Sequence, residues 1–417
     1  MSAPPVAYRA ASLALALPLA GYTVLRALRD GGAEYLCERY GFTRARPAQP
    51  VWLHCASVGE VTATAPLLRE LAAHDIGPLL LSTATPTGRR RALELAPAGV
   101  SHAYLPIDRP GPVRRFLRPT GPRVALILET ELWPHLFCAL ERGDIPILLV
   151  NGRLSPRTLE APAWWRHTAA WCIARTRRVL ARSERDREHF LALGAAEDRV
   201  ETVGNLKLAA PPPGDVEAVS LPRPFVLAAS THGDEELQLA RAWHAGGSRD
   251  HLLAIAPRHP ERGSRIADAL TRDGFRVARR SLGEMPRGSE CIYLADTLGE
   301  LTQLIAGAEA VIMGGSFIDR GGQNVLEPAR VGRPIVTGPH MHNCPDETER
   351  LEAAGALLRT NDADAAVREV AALLADAERR ARMGDRGRQL LAAEADMAAR
   401  YRQAIVAAVP ALGAPRG

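Results

Sequence analysis

VWLHCASVGEVTATAPLLRELAA, residues 51–73, joins a short apolar run to a helix through a turn of small and polar residues. Residues 51–54 have the length and apolar continuity of a buried strand, and 61–73 read as the helix that follows it. A strand without apolar–polar alternation is covered on both faces, the condition of a parallel sheet built from βαβ units. The unit recurs outward from here. Further strands are expected at 78–82, 124–129, 145–150 and 178–181, with helices at 134–143 and 183–193. At AAPPPGD, residues 209–215, the pattern breaks into a proline-rich linker. It then restarts with strands at 225–229, 252–256, 291–294, 310–313 and 334–337. An alanine- and arginine-rich tail from Asp364 to about Ala408 reads as one or two long helices. The expected fold class is therefore α/β, with two Rossmann-like parallel-sheet domains: an N-terminal one over 31–210 and a C-terminal one over 211–417 that includes the terminal helices. Such a pair holds its ligand in a cleft, outside the carboxyl ends of the strands.

Composition agrees with this size of fold. A chain of 417 residues, 47% hydrophobic and 24% charged, is a folded protein of two or three domains and not a disordered one. Its 6 cysteines include no C-x-x-C pair, which argues against a zinc ribbon or a disulfide framework and for a reducing compartment. Lys+Arg exceed Asp+Glu by 52 to 47, a formal charge of +5. That mild excess fits acidic small molecules, phospholipid surfaces or nucleic acid. Among the basic residues Lys207 is the single lysine. A compact ammonium there is not interchangeable with a guanidinium, although a chance leftover in an arginine-rich chain is the plainer reading.

Residues 10–25 carry no charge and are flanked by Arg9 and Arg26. Sixteen residues fall short of the roughly 20 that cross a bilayer, unless the flanking arginines reach to the interface beside Tyr8 and Tyr22. Pro4-Pro5 and a lone Arg9 fit a signal peptide poorly. A membrane-anchor helix over 1–30, spanning or dipping, is expected, with a buried core helix as the alternative. Arg26, Arg29, Arg39, Arg44 and Arg46 would keep the body of the protein on the cytoplasmic side of the inner membrane.

The polar residues gather after the strands. Ser57, Gly59 and Glu60 follow the first, at a helix N-terminus whose dipole would keep the Glu60 carboxylate ionised, as a general base requires. A helix-capping glutamate is the alternative. Glu129 and Glu131, two apart, share a face after the third strand. Arg153 and Lys207 stand in NGRLS (151–155) and GNLK (204–207). In the second half, Ser230-Thr231-His232 opens a helix and forms an anion cradle of hydroxyls and amides. Arg258, after Pro257, is placed for bidentate phosphate binding. Gly315-Ser316 and Gly321-Gly322 let the backbone approach a ligand, and Glu327 suits ribose hydroxyls. Neither G-x-G-x-x-G nor G-x-x-x-x-G-K-[ST] occurs, which lowers NAD and P-loop readings. HMHNC (340–344) has metal-like residue types but matches no closed zinc spacing.

In order, HCASVGE (54–60), ETELWP (129–134), NGRLS (151–155), GNLK (204–207), STHGDEE (230–236), PRHPER (257–262), LGEL (298–301), GGS (314–316) and GGQNVLEPA (321–329) resemble the bacterial Kdo transferases over nearly the whole chain. These enzymes add 3-deoxy-D-manno-oct-2-ulosonic acid (Kdo) to lipid A precursors. The resemblance implies a GT-B glycosyltransferase architecture of two Rossmann-like domains facing a cleft. It also implies CMP-Kdo as donor, a lipid A precursor (lipid IVA) as acceptor, and an inverting displacement with no metal or other cofactor. By motif, Glu60 would be the general base. Pro257, Arg258, Leu298, Gly299, Glu300, Asn324, Val325, Leu326 and Glu327 would hold CMP. Ser57, Gly59, Glu129, Glu131, Arg153, Lys207, Ser230, Thr231, His232, Gly315 and Ser316 are candidates for donor-sugar or acceptor contacts. The acceptor's phosphates and acyl chains would suit a membrane anchor, the basic residues Arg44, Arg46 and Arg89-Arg90-Arg91, and Trp164, Trp165 and Trp171, which core packing explains equally well. Cys55, Gln323 and Arg330 depart from the family pattern.

Two readings compete with this one. Another GT-B sugar-nucleotide enzyme, or an epimerase of like architecture, would use a different donor. A non-catalytic membrane-anchored binding protein would bind CMP without turnover. No nucleic-acid recognition module is present, so nucleic acid is not an expected partner.

Overall fold

The computed structural model describes residues 3–42, 47–209, 216–287 and 291–413. The expected linker at 211–215 and the arginines Arg44 and Arg46 lie outside the described residues. The chain divides into two compact units, Met1–Ala210 with Ala395–Gly417, and Pro211–Glu394.

Unit 1 carries β1 (Val51–Cys55), β2 (Leu79–Thr83), β3 (Ser101–Tyr104), β4 (Val124–Leu128), β5 (Ile147–Gly152), β6 (Arg178–Ala181) and β7 (Val200–Thr202). They form a parallel sheet in the order β3-β2-β1-β4-β5-β6-β7. Leu53 sits in register with Leu81 on one side and Leu126 on the other. Alternate residues of β1 feed opposite layers. Val51, Leu53 and Cys55 pack with the helix Val58–Ala73, whereas Trp52 packs with Phe116, Leu136 and Phe137 of the helices Pro110–Thr120 and Pro134–Arg142.

Unit 2 carries β8 (Phe225–Thr231), β9 (Leu252–Pro257), β10 (Arg276–Arg279), β11 (Cys291–Leu294), β12 (Ala310–Met313), β13 (Ile335–Thr337) and β14 (Leu357–Arg359), in the parallel order β10-β11-β9-β8-β12-β13-β14. In each sheet the strand order reverses beside the first strand. The switch points lie between β1 and β4 and between β8 and β12, where open α/β sheets bind ligands.

Three expectations are corrected. The tail is three helices, Ala363–Ala375, Ala377–Ala392 and Met397–Ala408; Asp376 caps the second by accepting the Arg379 amide, and Asp396 precedes the third. The last of these does not belong to a C-terminal domain of 211–417. Met397, Tyr401, Ile405 and Leu412 are buried in the unit 1 core against the β1 layer. Nor is 1–30 one helix. Val6–Ala14 and Ala16–Arg26 are separate, and a π-turn follows over Ala27–Gly31. Pro18 lacks an N–H, and its ring clashes with the carbonyl four residues back, at Ala14, where the first helix ends. No single helix is long and apolar enough to cross a membrane; the pair Val6–Ala14 and Ala16–Arg39, bent by 52°, passes only jointly.

Candidate active site

In unit 1, β1 runs into Ser57, the N-cap of the helix Val58–Ala73. Ser57 Oγ accepts the Glu60 amide at 3.2 Å, while Glu60 Oε1 accepts the Ser57 hydroxyl at 2.8 Å and Oε2 accepts the Ala56 amide at 2.8 Å. This is a capping box, so the capping reading of Glu60 holds. Its ionisation does not follow the dipole expectation. Burial pushes the carboxyl up to about 7, against the Ala56 and Ser57 donors, and the like charges of Glu129 and Glu131 add to the rise. The side chain is only 9% exposed, so desolvation outweighs the helix terminus. A carboxyl that titrates near neutrality is tuned for general base work at physiological pH.

Across the switch point, Glu129 follows β4 directly with a φ of 51°, a left-handed conformation that costs a non-glycine residue and points to function. Lys207 Nζ lies 3.5 Å from Glu129 Oε1. Glu131 accepts the Trp133 indole N–H at 2.9 Å, and burial raises its carboxyl. A pocket of about 410 Å³ is lined by Glu131, Trp133, Arg153, Ser155 and Trp165, among others. The expected unit 1 residues Ser57, Glu60, Glu129, Glu131, Arg153 and Lys207 thus gather at the carboxyl ends of β1, β4 and β5 and in the turn after β7. Of the tryptophans, Trp165 reaches the pocket, Trp164 is exposed, and Trp171 stacks under the Arg175 guanidinium at 3.5 Å. Arg89 pairs with Glu34 and Arg91 with Glu94, so the arginine run is mostly engaged within the protein.

Residues that the sequence reading passed over hold this arrangement in place. Asn151 is buried at a φ of 53°, and its Oδ1 accepts the Leu206 amide at 3.0 Å; Asn205 Oδ1 accepts the Lys207 amide. Tyr401, from the terminal helix, donates to the Gly204 carbonyl at 2.7 Å, and Met397 packs on Gly204. Buried Asp186 pairs with Arg182 and accepts the Leu154 amide at 2.9 Å, next to Arg153. Their motifs lay in view, but only the tertiary fold brings Tyr401 to residue 204.

In unit 2 the expected anion cradle is already filled by the chain itself. Glu235, fully buried, accepts the amides of His232 at 2.8 Å, Gly315 at 2.6 Å and Phe317 at 2.9 Å. Thr231 donates to Glu236, which also pairs with Arg262. Ser316 donates to the Met313 carbonyl and accepts the Gly338 amide. The side chains of Thr231 and Ser316 are therefore turned into the protein as braces, because the close approach of two strand ends buries them. Gly314 makes that approach possible: a Cβ there would meet Thr231 Cα at 2.5 Å.

Positive charge remains outside the brace. Arg258, exposed after β9, donates its amide to Thr231. Burial lowers the His232 pKa, and His259, Arg262, Arg258 and Arg320 lower it further, so the imidazole is held neutral among cations. Ser230, at the irregularity before the last residue of β8, has a φ of 57°. Gln323, one of the departures from the family pattern, lies 3.2 Å from His232 Nε2 through its amide nitrogen. Asn324 donates to Glu327 Oε1 at 3.0 Å and caps the Leu326 amide, close beside buried Val325. Glu300 is committed to Arg280 and Thr297; these hydrogen bonds, Arg280 foremost, pull its carboxyl down to about 2. Leu298 is exposed and Gly299 has a φ of 88°, which presents this turn at the end of the β11 connection. Among the described residues no group of three or more His, Cys, Asp or Glu is placed to hold a metal ion.

Residues 34–210 match the family model described as 3-Deoxy-D-manno-octulosonic-acid transferase (kdotransferase). The chain is 35% identical to the 3-deoxy-D-manno-octulosonic acid transferase of Bordetella pertussis, over 89% of this chain and 91% of that protein. It is 34% identical to the enzyme of the same name from Haemophilus influenzae, over 85% and 87%. Among solved structures it is similar to Anabaena Alr3699/HepE in complex with UDP, with a TM-score of 0.60 at 13% identity, covering 86% of this chain and 99% of that one. This last likeness concerns the fold alone.

Proposed function

Because the chain belongs to the 3-deoxy-D-manno-octulosonic acid transferase family, glycosyltransferases of lipopolysaccharide biosynthesis, we propose that it transfers Kdo from CMP-Kdo to lipid IVA by an inverting, metal-independent displacement with Glu60 as general base. The observation that carries this reading is the Glu60 carboxyl, pushed up to about 7 at the β1–β4 switch point and fixed by Ser57 and Ala56. An acceptor hydroxyl gives its proton to Glu60 as its oxygen attacks the anomeric carbon. The bond from that carbon to the CMP phosphate oxygen breaks, and its electron pair leaves with CMP. One attack from one side inverts the centre and needs no carboxylate nucleophile. Glu129, paired with Lys207, and Glu131, bonded to Trp133, then serve to position the acceptor beside the Arg153 pocket.

The cations around His232 support an anionic donor. Arg258 takes the phosphate, and charge developing on the leaving group is stabilised by a guanidinium without metal. Pro257, the Leu298–Glu300 turn and Asn324–Glu327 hold the rest of the nucleotide. In this reading Glu300 and Glu327 bind through the geometry that Arg280 and Asn324 impose on them. The apolar N-terminal helices attach the protein to the cytoplasmic face of the inner membrane, where its acceptor resides. Detergent-solubilised protein with CMP-Kdo, lipid IVA and a chelator is expected to release CMP and to raise the acceptor mass by whole Kdo units. Free CMP is expected to inhibit and UDP not. A requirement for divalent metal, or UDP competing as well as CMP, would contradict the proposal.

A further inference from the structure

On the face of the unit 1 sheet opposite the Glu60 helix, a groove of about 770 Å³ runs along the helices Pro110–Thr120 and Pro134–Arg142 beneath the N-terminal helix. Arg9, Arg114, Arg118 and Arg142 stand around it, and Leu117 and Cys138 contribute to its apolar floor. Arg114 and Arg118 are one turn apart, so both face the groove from the same helix. Among the described residues none of these four guanidinium groups has a hydrogen bond or an ion pair, and no carboxylate lines the groove. Elsewhere in this chain Arg182, Arg262 and Arg280 are each paired with a carboxylate. Four unpaired like charges around one apolar cavity repel one another until an anion joins them.

The setting selects the anion. Of the 15 large hydrophobic side chains exposed among the described residues, 8 lie between Val6 and Leu28 on the adjoining N-terminal helices. Those helices are fastened to unit 1: the Tyr8 hydroxyl donates to buried Asp108 at 2.7 Å, and Arg109 donates to the Ser12 carbonyl at 3.2 Å. An exposed apolar surface next to a basic rim is the pattern of a helix lying in a bilayer interface. We propose that this groove is a binding site for an anionic glycerophospholipid of the bilayer, whose headgroup phosphate is taken by the four arginines and whose acyl chain is laid on the Leu117 side. The inference rests on the membrane attachment proposed above. It adds that attachment is selective for anionic lipid and fixes which face of unit 1 meets the bilayer.

The test is flotation of the full-length protein with vesicles of phosphatidylcholine alone or mixed with phosphatidylglycerol. Wild type is expected to bind the mixed vesicles about tenfold more tightly or better. Arg114→Glu with Arg118→Glu is expected to abolish that preference, and Arg114→Gln with Arg118→Gln to reduce it, with thermal unfolding unchanged. Reversing two exposed arginines of unit 2, Arg265→Glu with Arg276→Glu, is expected to leave it intact. Equal binding of wild type to both vesicles, or an unaltered preference in the Arg114/Arg118 variants, would overturn the groove while leaving attachment standing. Failure to bind either vesicle would overturn both. If the variants instead weaken lipid IVA as a substrate with vesicle binding unchanged, the groove belongs to the acceptor and the bilayer assignment falls.

Discussion

A glutamine at position 60 keeps one of the two roles of the native side chain and removes the other. Its amide still accepts from Ala56 or Ser57, so the capping box survives. The titration does not. A carboxyl raised from 4.5 to about 7 binds its proton more tightly folded than unfolded, so wild-type stability declines as pH rises from about 4.5 to 7 and stays lower above that. The penalty at pH 8 is of the order of 3 kcal/mol. Glu60→Gln is therefore expected to be at least as stable as wild type at pH 8 and to show a smaller decline between pH 5 and 8, which denaturant titrations at the two pH values would measure. The remaining decline comes from other buried carboxyls such as Glu131 and Glu235. A variant markedly less stable at pH 8 would mean that the charge itself is held favourably. The motif around Glu60 was legible in the sequence, and so was its cap. The direction of its pKa was not, because burial is a tertiary property that a helix-terminus argument leaves out. The same holds for the bracing hydrogen bonds of the Thr231 and Ser316 hydroxyls, which exist because Gly314 lets two strand ends close over them.

The ten strands expected from apolar runs are the ten interior strands of the two sheets. The four that escaped, β3, β7, β10 and β14, are the four sheet edges. SHAY, VET, RVAR and LLR are short and partly exposed, so they lack the continuous apolar run of a strand covered on both faces. The parallel α/β pattern was thus readable wherever burial is complete and silent where it is partial. The terminal helix Met397–Ala408 has its own consequence. Its Tyr401 supports Gly204, three residues before Lys207, at a glycine with a φ of 123°. Tyr401→Phe leaves that partly buried carbonyl without its donor. It is expected to cost about 1 kcal/mol of stability and to lower kcat by about tenfold with little change in KM, if a misplaced Lys207 loop costs roughly that factor in the transition state. Steady-state kinetics beside thermal melts would check both; a loss of stability with unchanged kcat would make the contact structural only.

Because the C-terminal segment returns to unit 1, the two units do not end where the sequence pattern changes. A chain stopped after Glu394 removes Met397, Tyr401, Ile405 and Leu412 from the core against β1 while leaving every strand of unit 2 in place. Calorimetry is expected to show the unit 1 transition lowered by 10 °C or more, on the order of several kcal/mol for lost large side chains, and the unit 2 transition unmoved. A loss of both transitions would mean that the units depend on each other for folding. The proposed role of Glu60 as base at the switch point of unit 1, which would join fold to function, is tested by the rate of Kdo transfer to lipid IVA as a function of pH in wild type and Glu60→Gln. The account predicts a wild-type rate that falls below pH about 7 as Glu60 takes up its proton, and a variant slower by 10² or more with that acid limb gone and CMP affinity retained. A variant within a few-fold of wild type, with the same acid limb, would contradict it.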